Sequence, residues 1–392
     1  MPLPVAGLVA MLYAVRPVVV PRGMSLALAQ RSYQQLWEPR AYRRPTTFAM
    51  GRDGTVAAAL AGGGSANAEG RILLARPTGR TRVLPPLPDA LIAHHTRAYA
   101  PSADGRHRYI GGYIQNVCVT DGGAPVVTFA FPFGGAYAGF SEASFIWTGT
   151  VWADAVPAGI PAGRQNVWVA AASRSSIAFV ADVLDESPNE LSSADETSND
   201  AHDQVIVLSM GSASVVGNGI ATDIVGDRVA GYDDGFEVSA QGVRHAGSVT
   251  AVMWSSGRAR RLGGGIAWAL GRDDFAVGDD RHDVSVVGHP VCWRDGRAVL
   301  LSGHSGSAFA TGDRDMVVGR IETGAFVATC GAPPRSFSML DPLIDDHRWH
   351  IEGAYRISSG GAILALAVRR AEKTMKLVVL VPLRRGVAGR SR

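Results

Sequence analysis

Three features of the sequence predict an all-β chain folded as a seven-bladed propeller. A two-hairpin unit recurs seven times, the composition favours short strands, and the seventh unit lacks one strand. Of the 392 residues, 46% are hydrophobic and only 19% charged, and 47 are glycine. Such a chain suits short strands joined by tight turns better than long amphipathic helices. The units open with TFAMGRDGTVAAAL (47–60), AYAPSADGRHRYIGGY (98–113), VAAASRSSIAFVADV (169–183), ATDIVGDRVAGY (221–232), AWALGRDDFAVGD (267–279), AFATGDRDMVVGR (308–320) and AYRISSGGAILALA (354–367). In each, a strand of small and aromatic residues meets a Gly/Asp/Ser turn, and a strand rich in Val, Ala and Ile follows. Turn residues between β-prone runs are the hairpin signature.

A second hairpin completes each unit, as in AVMWSSGRARRLGG (251–264) and HPVCWRDGRAVLLSG (289–303). The starts near 47, 98, 169, 221, 267, 308 and 354 fit blades of roughly 40–45 residues with insertions. Four-stranded sheets repeated around an axis leave only short, protected edges, and one propeller domain over 1–392 follows. The seventh unit ends in a single strand, MKLVVLVPL (375–383), so the apolar N-terminal segment 12–20 is predicted to supply the missing strand and close the ring. That segment has no basic leader and is interrupted by Arg16 and Pro17, so it reads as a strand, with a poor secretion signal as the runner-up, and as too short and broken for a bilayer span. A cytoplasmic location is the expectation that follows.

HPVCWRDGRAVLLSGHSGSAFATGDRDMVVGR (289–320) resembles the HAF-type repeat, and AVMWSSGRARRLGG with AWALGRDDFAVGD repeats the likeness. The architecture is also similar to WD40 and kelch arrays. The resemblance implies a repeat fold and an extracellular setting, against the cytoplasmic expectation. It supplies no catalytic residues, so function has to come from a site.

Counting four residues back from each first-strand anchor gives Arg43, His94, Gln165, Gly217, Gly263, His304 and His350. In a propeller these positions face one mouth of the channel. Three imidazoles with open valence between them are the composition of a catalytic metal site. His94, His304 and His350 are therefore the expected ligands of a divalent transition metal (Cu, Fe, Co, Ni or Zn). His95 is an added ligand, Glu352 a ligand, partner or general base, and Arg43 a substrate anchor. The corresponding function is a metal-dependent oxidoreductase acting on a small molecule. Two other readings stay open: a non-catalytic scaffold or ligand-binding propeller, with a protein partner if a scaffold, and a metal-free lyase or hydrolase using channel His and Arg.

Long insertions at 114–142, 184–203 and 233–249 are expected to surround that mouth. The acidic stretch 184–203 reads as disordered. The aromatics Phe129, Phe131, Phe133, Tyr137 and Phe140 are expected to wall an aromatic or ring-shaped substrate. Asp279 and Asp280 read as turn carboxylates. Cys118, Cys292 and Cys330 form no CxxC pair and no legible disulfide framework, so buried thiols are expected. A net charge of +3 with scattered arginines argues against a nucleic-acid partner, and nothing suggests a membrane. No GxSxG elbow, P-loop or HExxH is present.

Overall fold

The computed structural model describes residues 11–22, 24–26, 47–61, 71–77, 79–88, 91, 113–132, 140–156, 160, 164–183, 202–209, 211–233, 237–238, 244–245, 248–272, 274–283, 286–330, 336–372 and 374–383. Seven antiparallel sheets stand in sequence order, each built on four strands that follow one another outward. Their first strands are Phe48–Met50, Tyr113–Val119, Arg164–Ala172, Ile220–Val225, Ile266–Leu270, Gly306–Thr311 and Trp349–Ile357. Blade one carries an extra short strand, Ser25–Leu26, paired with Leu60 and Ala61.

The ring closes as the sequence predicts. Tyr13–Pro17 runs antiparallel to Met375–Pro382 and becomes the outermost strand of blade seven. Tyr13 anchors it: the side chain is buried against blades six and seven, and its carbonyl accepts the Asp345 N–H.

Sheets of this kind bury both faces only against neighbours, so the core divides by interface. Among the described residues, one apolar cluster lies between blades one and two, including Ile72, Val127 and Phe145. Further clusters follow at each successive pair of blades. The last, joining blade seven back to blade one, packs Tyr355 and Leu364 on Phe48 and Val56. Removal of apolar surface at every junction, including the closing one, is what holds a ring rather than an open stack.

Two expectations are corrected here. Blade two does not start near 98. Its first hairpin is Tyr113–Val119 with Pro125–Pro132, within the segment read as an insertion. The turn Asp121-Gly122-Gly123, with Gly123 at φ 83°, is a hairpin turn in its own right. Phe129 accordingly sits in the core between blades one and two, not in a loop wall. Phe131 and Phe140 lie on strands, and Phe133 and Tyr137 fall outside the described residues. The second correction concerns sulfur. Cys292 and Cys330 are bridged, with Cα atoms 6.0 Å apart, which ties blade five to blade six. Cys118 remains a buried thiol, as expected. The insertion of blade four holds a small hairpin, Glu237–Val238 with Arg244–His245. Residues 184–201 of the acidic segment lie outside the described residues, and His202 already begins a strand.

Candidate functional site

The first strands share a deviation that shapes the channel. Six of them shift register against their second strand; in blades three to seven the shift falls at one equivalent place, and in blade two it falls two residues earlier. The skipped residues are Gln115, Ala170, Thr222, Trp268, Phe309 and Tyr355. A bulge leaves one residue unpaired and re-aims its side chain. The second strand makes room for it. A Cβ on Gly231, Gly278 or Gly319 would run into the carbonyl oxygen of Ile220, Ile266 or Ser307 respectively, so only glycine fits there. This is the physical content of the recurring Val-x-Gly or Val-Gly in the second strands.

Phe48 completes the set in blade one. Four consecutive blades, five, six, seven and one, thus present Trp268, Phe309, Tyr355 and Phe48. Their rings touch in order. Trp268 and Phe309 meet edge-on at 6.1 Å, Phe309 stacks on Tyr355 at 5.3 Å, and Phe48 meets Tyr355 edge-on at 5.6 Å. Such offset and edge contacts are the favoured aromatic geometries. Blades three and four present Ala170 and Thr222 instead, and blade two lines the channel with Asn116, Val117 and Cys118.

The Trp268 indole is locked from behind. Its Nε1–H donates to Asp279 Oδ2 at 2.7 Å, and Ser307 Oγ donates to the same oxygen at 2.6 Å. Arg281 bonds both carboxylate oxygens through Nε and a terminal nitrogen. Asp279 is fully buried and Arg281 is 5% exposed. Asp279 is therefore not a turn carboxylate. It is the buried centre of a charged cluster that orients a channel aromatic. Asp280 does behave as expected, accepting the His289 N–H at 2.6 Å.

Within this ring lies a cavity of about 610 Å³, lined by Phe48, Trp168, Thr222, Trp268 and Tyr355 among others. A second cavity, of about 580 Å³, lies further along the same strands toward the first hairpins, where Arg52, Asp121, Asp223 and Thr311 line it. Cys118 and Arg356 line both. The channel is thus aromatic toward the end where first strands begin and polar toward the hairpins. Neighbouring first strands are cross-tied around it. Thr311 Oγ1 donates to Leu270 O at 2.7 Å, Asn116 Nδ2 to Val169 O at 3.2 Å, and Cys118 Sγ to Ala170 O at 3.3 Å.

Of the expected metal site, Arg43, His94 and His95 lie outside the described residues. His304 and His350 do sit where first strands begin, and each faces carboxylates. His304 is exposed, 3.8 Å from Glu322. His350 Nδ1 is 2.7 Å from Asp341 and its Nε2 is 3.6 Å from Glu352. Asp341 also accepts the Ile351 N–H and bonds Arg370, placing this cluster in the seam between blades six and seven. Among the described residues, no group of three or more His, Cys, Asp or Glu side chains is arranged to hold a metal ion. No described helix is long and apolar enough to cross a membrane.

Sequence reasoning did not single out Phe48, Trp268, Phe309, Tyr355 or Arg356. Their signal was the small-aromatic pair itself, used as the landmark from which the histidine offset was measured. The landmark is the channel residue.

No family model matches the chain, and no curated protein does. Several solved structures are similar to the chain at low identity. One is a protein of unknown function from Dyadobacter fermentans, at 11% identity and TM-score 0.41, spanning 94% of this chain and 98% of that one. Another is the β-propeller domain of the Trilobed protease from Pyrococcus furiosus, at 11% identity and TM-score 0.40, spanning 71% and 85%. A third is the Hadza microbial sialidase Hz136, at 11% identity and TM-score 0.37, spanning 87% and 65%. The chain is a seven-bladed β-propeller with four-stranded blades, closed by its N-terminal strand.

Proposed function

We propose that this protein binds a small molecule in its central channel, entering from the end at which the first strands begin. The observation that carries the reading is the cavity of about 610 Å³ walled by Phe48, Trp168, Trp268 and Tyr355. Its apolar, aromatic walls with few polar groups are those of ligand pockets generally. A metal-dependent oxidation at the same mouth would need His350, whose two ring nitrogens both face carboxylates, to join His304 and His94. Binding in the aromatic cavity requires no such rearrangement and is the reading argued here.

Thermal-shift screening of the full chain against flat aromatic fragments tests it. Fragments that stabilise the wild type are expected to lose their effect in Ala170→Trp, which fills the small side of the channel. No stabilising fragment, or shifts unchanged in the variant, would overturn the reading. The Cys292–Cys330 bridge further supports a working location in an oxidising compartment. Mass spectrometry of the natively expressed protein under alkylating, non-reducing conditions checks it, and reduced thiols at both positions would defeat it.

A further inference from the structure

Resting on the channel reading above, we infer that the ligand is an aromatic carboxylate and that Arg356 is the anchor for its acid group. Arg356 is half-buried on the first strand of blade seven, in the wall common to both cavities. A guanidinium presents five donors and stays charged. Desolvating it without a partner is costly, yet among the described residues no hydrogen bond or ion pair engages it. Of the other charged side chains in these walls, Arg52 and Asp121 pair with each other at 3.6 Å and Asp223 accepts the Leu270 N–H at 2.9 Å. The unspent charge therefore points to an anion from outside the chain.

Position narrows the ligand further. Arg356 follows Tyr355 directly, and the bulge between Ala354 and Arg356 brings the two together at the channel wall. Asp121 and Asp223 line only the hairpin-side cavity, so repulsion keeps an anion on the aromatic side of Arg356. Aromatic faces alone would also suit a cationic ligand, but Arg356 repels one. A flat ring against the aromatic arc, with its carboxylate one or two bonds away and paired with the guanidinium, satisfies both features.

Calorimetry with the full chain, 2-naphthoate and the neutral 2-naphthalenemethanol tests this. The wild type is expected to bind the acid about 10- to 100-fold more tightly, the range for a hydrogen bond to a charged group. Arg356→Met should erase that preference while still binding the alcohol, which also reports that the variant is folded. Arg356→Lys should restore part of it. Equal binding of acid and alcohol by the wild type, or a preference that survives in Arg356→Met, would overturn the anchor and leave the channel reading standing. If neither compound binds the wild type, the channel reading falls and takes this inference with it.

Discussion

The channel wall has two unequal arcs built on one backbone plan. In blades five to seven the bulge presents Trp268, Phe309 and Tyr355, joined by Phe48 of blade one. In blades three and four the same bulge presents Ala170 and Thr222, and blade two contributes Asn116 and Val117. The aromatic arc is packed ring against ring and backed by buried charge at Asp279 and Arg281. The small arc is tied by neutral bonds, such as those from Thr222 Oγ1 to Ala267 O and from Asn116 Nδ2 to Val169 O. The backbone thus fixes where a side chain enters the channel, and residue choice decides whether it fills or opens the lumen. A rotational repeat becomes a one-sided cavity through that choice alone.

The largest expected break falls on the aromatic arc. Asp279→Ala strands the Arg281 guanidinium in a site where it is 5% exposed and frees the Trp268 indole. Removing one partner of a buried pair costs about 3–5 kcal/mol, to be read as a lower urea midpoint with unchanged slope. The disulfide braces the same side, between blades five and six, across a sequence separation of 38. Cys292→Ser should cost about 2–4 kcal/mol, and reductant should lower the stability of the wild type by a similar amount while leaving the variant unmoved. On the small arc, Thr222→Val removes one donated hydroxyl bond, to Ala267 O, and should cost only about 1 kcal/mol by the same urea assay. Smallest of all is Ala170→Phe. If the lumen is open on this side, the new ring enters the cavity and stability changes by under about 1 kcal/mol. A loss of about 1–3 kcal/mol, typical of overpacking, would show that the arc is already filled.

Much of the fold was legible in the sequence because its signals are local. Hairpin turns such as Gly-Arg-Asp-Asp at 271–274 and Ser-Ser-Gly-Gly at 358–361 carry their own chemistry, and their recurrence announces the ring. The missing strand of blade seven pointed to Tyr13–Pro17 by simple stoichiometry of strands. Blade two was misplaced because two turn-like stretches compete there. AYAPSADGRHRYIGGY resembles the repeat, yet the turn at 121–123 is the one that joins the blade's first two strands.

The site was less legible, and the histidine offset shows why. His304 and His350 do lie near one end of the ring, as spacing predicts, but spacing says nothing of which carboxylate each imidazole meets. Asp341 comes to His350 from the segment between blades six and seven, and Glu322 to His304 from a hairpin turn of blade six. Likewise Cys292 and Cys330 look unrelated along the chain and meet only because adjacent blades set them side by side.

The sequence by itself determined the number of blades, their strand plan and the closing strand, since each depends on turns and alternation within a few dozen residues. Only the tertiary structure decided that the aromatic of the repeat faces the channel, that Asp279 is a buried anchor and that Arg356 has no partner among the described residues. Those outcomes depend on one-residue bulges and on contacts between blades, which bring together groups whose separation along the chain carries no trace of their distance in space.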